Sequence, residues 1–186
     1  WLPLHDYRNQ SEMRYGERCP KLAHMGCAGS DTFKYDKTKD VVRQSMGTGY
    51  VYWGFDPRVD SPDVSMDEWK TADFVCEYIN RPPTVEEYCE DMLMMSIFYS
   101  VEMYPEFNID HVKRHFTARG YSGYLKHGTK IKKKNGVTVQ EENVQAGAHT
   151  TEAIKPTMFK FMEKYVETTA SRCKFPRLLE DLRDVE

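Results

Sequence analysis

Residues 22–31 read Leu22-Ala23-His24-Met25-Gly26-Cys27-Ala28-Gly29-Ser30-Asp31, a short apolar run that breaks at a glycine and ends in an aspartate. A second run, Val101-Glu102-Met103-Tyr104, breaks at Pro105 and is followed by Glu106. If both runs are strands of one sheet, the two carboxylates emerge side by side at its edge. Two hard oxygen ligands there suit Mg²⁺ or Mn²⁺ and the metal-assisted cleavage of phosphodiesters. Each acid alone is better explained as an ordinary turn residue.

Composition places the chain among ordinary globular proteins. It has 186 residues, of which 40% are hydrophobic and 30% charged, with a formal net charge of −3. That length suits one domain with a full core. The net charge does not favour nucleic-acid binding, so any such function must depend on a local patch. The sequence contains no apolar stretch of membrane-spanning length. Because it begins with Trp1, we expect a fragment or a processed product.

The cysteine pattern favours free thiols over a disulfide framework or a zinc site. The count is odd, no CxxC pair occurs, and several cysteines lie in apolar runs. Reduced, mostly buried thiols in a cytoplasmic protein fit this pattern. The cysteines are Cys19, Cys27, Cys76, Cys89 and Cys173.

Hydrophobic periodicity and turn residues predict the order of elements. Residues 1–20 are polar and aperiodic, which indicates a linker or surface extension before a domain over residues 21–186. A capping box at Thr84 and Glu87 opens the first helix. The Asn135-Gly136 step predicts a hairpin over residues 126–139. The strand candidates are residues 22–31, 47–53, 72–79, 101–105 and 121–125, and the further helix candidates are residues 109–119, a helix beginning at Pro156, and residues 177–183.

This order predicts an α/β fold with a mixed central sheet flanked by helices and an added β-hairpin. Three strands precede an alternation of helix and strand, which matches the ribonuclease-H-like fold. In that fold the first and fourth strands are neighbours at the centre of the sheet. Asp31 and Glu106 are then adjacent at a reversal of strand order, where open α/β sheets place their sites.

Several segments together resemble the nuclease domain of the large terminase subunit of tailed bacteriophages, in particular of gut phages. The resemblance extends over most of residues 21–186, and the ordered set of segments carries it rather than any single motif. The segments are Cys27-Ala28-Gly29-Ser30-Asp31 with Tyr35-Asp36, residues 74–84 with Tyr88 and Glu90-Asp91-Met92-Leu93, Tyr104-Pro105-Glu106-Phe107-Asn108, residues 147–151 with Lys155-Pro156, and residues 175–182.

The resemblance implies a metal-dependent endonuclease that cuts concatemeric double-stranded phage DNA with two Mg²⁺ or Mn²⁺ ions. Asp31 would bridge the ions and Glu106 would bind one of them. Asn108 would hydrogen-bond a metal ligand or a bound water or, equally well, cap a helix. The implied partners are the terminase ATPase domain, the portal and the small terminase subunit, and the implied location is the host cytoplasm, transiently at the procapsid portal.

The sequence departs from the family at two points. The family usually carries a third acid on a helix shortly after a segment like residues 178–182. The sequence stops at Glu186, so we expect that acid to be missing, with Asp184 or Asp181 as weak substitutes. The family's packaging ATPase precedes the nuclease, yet the chain has no GxxxxGK[ST] phosphate loop, so we expect no ATP hydrolysis. Both departures suit a fragment of a larger motor protein.

Lysines around the predicted hairpin are the candidates for DNA contact. They can hold duplex phosphates without reading sequence, although hairpin lysines also serve solubility and edge protection. Lys155 can approach a phosphate or simply precede a helix. The hairpin candidates are Lys126, Lys130, Lys132, Lys133 and Lys134.

Two alternatives stay open. The domain can be a catalytically incomplete module that binds DNA or docks on the portal, since the third acid is in doubt. It can also be another ribonuclease-H-like nuclease, of the resolvase or transposase type. A nicking assay separates the first alternative from the nuclease, and substrate preference separates the second.

Overall fold

The computed structural model describes residues 11–33, 46–54, 71–107, 109–134, 137–147 and 155–183. Its first element is an antiparallel hairpin of β1 (Ser11–Arg14) and β2 (Glu17–Pro20). Its turn residues Tyr15 and Gly16 have φ angles of 52° and 83°, the positive values of a two-residue hairpin turn. The sequence led us to expect a linker or extension over residues 1–20; residues 11–20 are regular instead, and residues 1–10 lie outside the description.

Polar contacts attach this hairpin to the rest of the domain. The hydroxyls of Ser11 and Tyr124 lie 2.6 Å apart. Arg18 donates to the hydroxyl of Tyr121 over 2.8 Å, and its guanidinium lies 4.9 Å from the ring centroid of Tyr121. The hairpin is therefore a packed part of the domain.

The centre of the fold is a mixed sheet of four strands in the order β5-β4-β3-β6. Neighbouring strands are antiparallel except β3 and β6, which are parallel. The predicted adjacency of the first and fourth strands of the domain is thus confirmed, but β6 is the last strand of this order and not a central one. The first strand begins later than expected, because residues 23–25 form a 3-10 turn. The strands are β3 (Gly26–Asp31), β4 (Gly47–Trp53), β5 (Asp73–Asn80) and β6 (Glu102–Pro105).

One face of the sheet is covered by α1 (Val85–Tyr99). Thr84 caps this helix as predicted, since its hydroxyl accepts the Glu87 amide over 3.2 Å. Tyr88, Met92 and Leu93 are fully buried against the sheet. In β4 the residues that face them are glycines and Val51, so the strand leaves room for large helix side chains.

The helix α2 (His111–Ala118) packs beside α1. Glu90 on α1 joins them through His115, at 2.6 Å, and Arg119, at 2.9 Å. Burial raises the pKa of Glu90, but the hydrogen bond from His115 and the charge of Arg119 outweigh it, so the pKa is lowered overall. Val112 and Phe116 are fully buried and extend the core from α1.

The predicted fifth strand over residues 121–125 is wrong. Ser122–Tyr124 form a 3-10 turn, and only Leu125 pairs with the sheet, in a parallel bridge to Met103. The Lys126 amide donates to the Met103 carbonyl over 2.8 Å and extends this contact by one residue. The Tyr124 and Leu125 amides donate locally to the Tyr121 and Ser122 carbonyls, over 3.0 Å each, so they do not join a strand ladder. Tyr124 is fully buried in this turn.

The hairpin predicted from the Asn135-Gly136 step is present as β7 (His127–Lys134) and β8 (Val137–Ala146). Lys134 pairs with Val137, which leaves two residues for the connection. Those residues, Asn135 and Gly136, lie outside the description.

The opposite face of the sheet is covered by α3 (Lys155–Thr168) and α4 (Pro176–Arg183). The Tyr165 hydroxyl of α3 donates to Asp73 over 2.7 Å, and its ring meets Phe74 edge-on at 5.1 Å. The Leu178 amide of α4 donates to Glu77 over 2.9 Å. The protein is therefore a mixed α/β domain with helices on both faces of the sheet. Within the described ranges, no helix is long and apolar enough to cross a membrane.

Candidate functional site

Asp31 and Glu106 lie at the ends of neighbouring parallel strands. The last paired residues of β3 and β6 are Ser30 and Pro105, so the register sets Asp31 beside Glu106. The Glu106 amide donates to the Ser30 carbonyl over 3.2 Å and carries the pairing one residue beyond β6. The structure therefore brings these two predicted residues together at one edge of the sheet.

Alternation along the two strands places both acids on the same face. Ala28 and Met103 are fully buried on the face covered by α1. Asp31 and Glu106 differ from them by three positions along their strands, and successive side chains alternate between faces. Asp31 is exposed and Glu106 is partly exposed. The two carboxylates therefore belong to the face that carries α3 and α4.

The backbone of Asp31 is held by a buried tyrosine. The Tyr88 hydroxyl lies 3.0 Å from the Asp31 carbonyl and 2.7 Å from the Thr48 carbonyl, and it can donate to either. Tyr88 is fully buried, and burial raises the pKa of its hydroxyl, which keeps the donor protonated. The end of β3 is thereby fixed to β4 and α1, while the Asp31 carboxylate takes no part in these bonds.

A third acid reaches the same face from α4. The Tyr50 hydroxyl donates to the Asp181 carboxylate in a long contact of 3.5 Å. Tyr50 pairs with Gly29, two residues before Asp31 and on the same face. The sequence named Asp184 first and Asp181 second as the third acid. Asp181 is the one that the structure describes on this face, and Asp184 lies outside the description.

The position of Asp181 beside Tyr50 affects the pKa of the Tyr50 hydroxyl. Burial, and then the negative charges of Asp181 and Glu77, raise the pKa of Tyr50 to about 12. Because this value exceeds that of an exposed tyrosine, Tyr50 contributes stability that is fully present below pH of about 10 and is lost as the pH rises through its folded pKa.

We expect Asp181→Asn to lower the pKa of Tyr50, because the variant removes a nearby negative charge while burial persists. Carbon NMR of ring-labelled tyrosine, assigned with Tyr50→Phe, measures this pKa. Glu180→Gln, on the same helix and exposed, is the control and should leave it unchanged. A parent Tyr50 that titrates near 10 would mean that α4 does not pack on this sheet face.

The donor set fits a hard divalent cation. Mg²⁺ keeps several waters and is commonly held by one or two carboxylates together with substrate phosphates. Asp31 and Glu106 supply that minimum at an accessible edge. In the described part of the chain, no group of three or more His, Cys, Asp or Glu side chains could hold a metal ion. The cysteines, all described, are free.

The lysine candidates have different surroundings. Lys126 pairs with Glu102 over 3.1 Å, so its charge is partly compensated. Lys155 is the first residue of α3 and is partly buried. For Lys130, Lys132, Lys133 and Lys134 the structure describes only the backbone, as part of β7. Asn108 lies outside the described residues.

Two contributors to this region were missed in the sequence. The role of Tyr88 was not predicted, because its contact with Asp31 spans 57 residues. Lys113 was not singled out, although its spacing of three residues from Asp110 is a recognised pairing distance on a helix.

No protein-family model, curated protein or solved structure matches the chain. The resemblance to terminase nucleases therefore stays a prediction from the sequence segments that carry it.

Proposed function

We propose that this chain is a metal-dependent DNA endonuclease domain of ribonuclease-H-like fold, of the kind found in phage packaging terminases. The observation that carries the proposal is the pairing of Asp31 and Glu106 at the ends of parallel strands β3 and β6. Carboxylate oxygens at such a strand edge are the kind of ligand that Mg²⁺ and Mn²⁺ prefer.

The sheet supports the fold assignment. An antiparallel run of β3, β4 and β5 is joined by β6, which is parallel to β3 and lies directly beside it. The bridge from Met103 to Leu125 continues in the same parallel sense. This arrangement agrees with the adjacency of first and fourth strands on which the ribonuclease-H-like prediction rests.

Asp31 and Glu106 would hold Mg²⁺ or Mn²⁺ through their carboxylates. When bound, two such ions activate a water and stabilise the leaving oxygen in phosphodiester hydrolysis. The contribution of the chain is to hold the ligands in place: Tyr88 fixes the backbone at Asp31, and the Glu106 amide is fixed to Ser30. Asp181 or Asp184 would supply a third acid.

The substrate we propose is double-stranded DNA, cut when a phage head begins and finishes filling. The basic strand β7 would contact phosphates, which gives affinity without sequence preference. The proposed partners are the terminase ATPase domain, the portal and the small terminase subunit, in the host cytoplasm.

Supercoiled plasmid tests the activity. We expect nicked and then linear DNA with Mg²⁺ or Mn²⁺ and none with a chelator. Plasmid that stays supercoiled with both metals, at protein concentrations that bind DNA, would overturn the nuclease proposal. That result would favour the second candidate, an incomplete module that binds DNA or the portal. Faster cutting of branched DNA would favour a resolvase.

Replacing Lys132, Lys133 and Lys134 together with glutamine should weaken DNA binding at every sequence. Each phosphate contact contributes about 0.9 to the slope of log affinity against log salt, so the slope should fall by up to about 3. Fluorescence anisotropy at several salt concentrations measures it. The matched control removes three exposed lysines elsewhere, Lys160, Lys164 and Lys174. Equal slopes for the two triple variants would remove β7 from the DNA interface.

A further inference from the structure

Lys113 on α2 extends its ammonium back to the segment that carries Glu106. Its Nζ donates to the Phe107 carbonyl over 2.7 Å and pairs with Asp110 over 2.7 Å. The same Nζ lies 5.2 Å from the centroid of the Phe107 ring. Lys113 therefore contacts both the backbone and the side chain of the residue that follows Glu106.

This lysine is unusual in how little of it reaches solvent. Only 13% of its side chain is exposed, whereas lysines normally keep the ammonium in water. Removing an ammonium from water is costly unless it is paired and hydrogen-bonded. Asp110 supplies the pairing, and the hydrogen bond from Lys113 lowers the pKa of the Asp110 carboxyl.

The backbone around Glu106 is held on both sides. Its amide donates to Ser30, and the next carbonyl accepts from Lys113. Gly147, at the end of β8, packs against the same segment: a Cβ there would lie 2.8 Å from the Pro105 carbonyl oxygen. Little space is left for the segment to shift on that side.

We propose that Lys113 is a positioning residue for Glu106: by clamping Phe107 it holds the Glu106 carboxylate beside Asp31 in the geometry that binds a divalent cation. The metal-binding part of this inference rests on the proposed function. The clamp itself rests on the contacts of Lys113 with Phe107 described above. Ordinary stabilisation of the α2 N-terminus is the competing role, and it would depend on Asp110 as much as on the bond to Phe107.

Lys113→Met removes the ammonium and keeps most of the aliphatic length. Groups that orient metal ligands typically change metal affinity by about 10–100-fold, so we expect Mn²⁺ binding to weaken by that factor in a folded variant. Lys113→Arg can still donate to the Phe107 carbonyl and should restore most of the affinity. Titration of Mn²⁺ by electron paramagnetic resonance measures free ion directly and needs no cleavage.

Two variants of neighbouring residues separate the roles. Arg114→Met is the matched control, because Arg114 is 82% exposed on its side chain and makes only a 3.7 Å contact with Asp110. Asp110→Asn breaks the ion pair but leaves the bond to Phe107, so it should not show the loss of Mn²⁺ affinity of about 10–100-fold that we expect for Lys113→Met. The proposal would be overturned if Asp110→Asn lost as much Mn²⁺ affinity as Lys113→Met. It would also be overturned if Lys113→Met lost no Mn²⁺ affinity at all.

Hydrogen exchange at the Glu106 amide tests the clamp without any metal. We expect faster exchange in Lys113→Met than in the parent or in Arg114→Met. If the parent does not bind Mn²⁺ but the Glu106 amide still exchanges faster in Lys113→Met, the proposed function is contradicted and the clamp is kept. If Lys113→Met folds and the Glu106 amide exchanges at the rate of the parent, the clamp is overturned. If Lys113→Met does not fold, the test passes to Lys113→Arg, and the clamp is overturned if that variant exchanges faster than the parent.

Discussion

Asp31→Asn is expected to abolish metal-dependent cleavage while leaving the fold intact. The change keeps the size of the side chain and removes the charge that would hold the cation. A metal supplies several kcal/mol of transition-state stabilisation and each 1.4 kcal/mol is about tenfold in rate, so cleavage should fall at least about 100-fold. Plasmid nicking under saturating Mn²⁺ measures the loss.

The fold should survive because Asp31 acts structurally through its backbone. Its carbonyl lies within hydrogen-bonding distance of the Tyr88 hydroxyl, and its side chain is exposed. Glu86→Gln is the control: this exposed carboxylate lies in the first turn of α1, on the other face of the sheet. Cleavage by Asp31→Asn at the rate of the parent would show that the site is wrongly assigned.

Gly47→Ala is expected to destabilise the fold clearly. An added Cβ would lie 2.6 Å from the ring of Tyr88 and 2.9 Å from the ring of Phe33. Tyr88 cannot easily move, since it is fully buried and its hydroxyl lies within hydrogen-bonding distance of the Asp31 and Thr48 carbonyls. Overpacking of this kind typically costs about 1–3 kcal/mol in the free energy of unfolding.

Gly29→Ala is the matched control for that prediction. Gly29 lies on the neighbouring strand, and an added Cβ would have no atom within 4 Å. Urea unfolding followed by circular dichroism compares the two variants. If Gly47→Ala unfolded at the same urea concentration as Gly29→Ala, the packing of α1 against β4 described above would be incorrect.

Much of the sheet could be predicted from the sequence because its signals are local. The capping box at Thr84, the Asn135-Gly136 step and the apolar runs of the strands each act over a few residues. The first hairpin was missed because its strands have four residues each and its turn begins with Tyr15, which is uncommon at positive φ. The failed fifth strand shows a further limit, since burial of the Tyr124 ring depends on distant partners.

The candidate site likewise contains residues that could be predicted from the sequence and residues that could not. Asp31 and Glu106 could be proposed because strand ends and topology together predict adjacency, and the register now shows it. The groups that hold them could not be proposed. Tyr88 reaches Asp31 from another element, and Lys113 donates to the carbonyl of Phe107, six residues earlier, a contact that no spacing rule predicts.

Anomalous diffraction from a crystal soaked in Mn²⁺ tests the central claim most directly, because it locates the ion and its ligands without relying on activity. We expect a peak between the carboxylates of Asp31 and Glu106, with Asp181, another acid or water completing the coordination. Two carboxylates that lie far apart with no peak between them, or a peak only at a different cluster, would contradict the metal site and the nuclease function built on it.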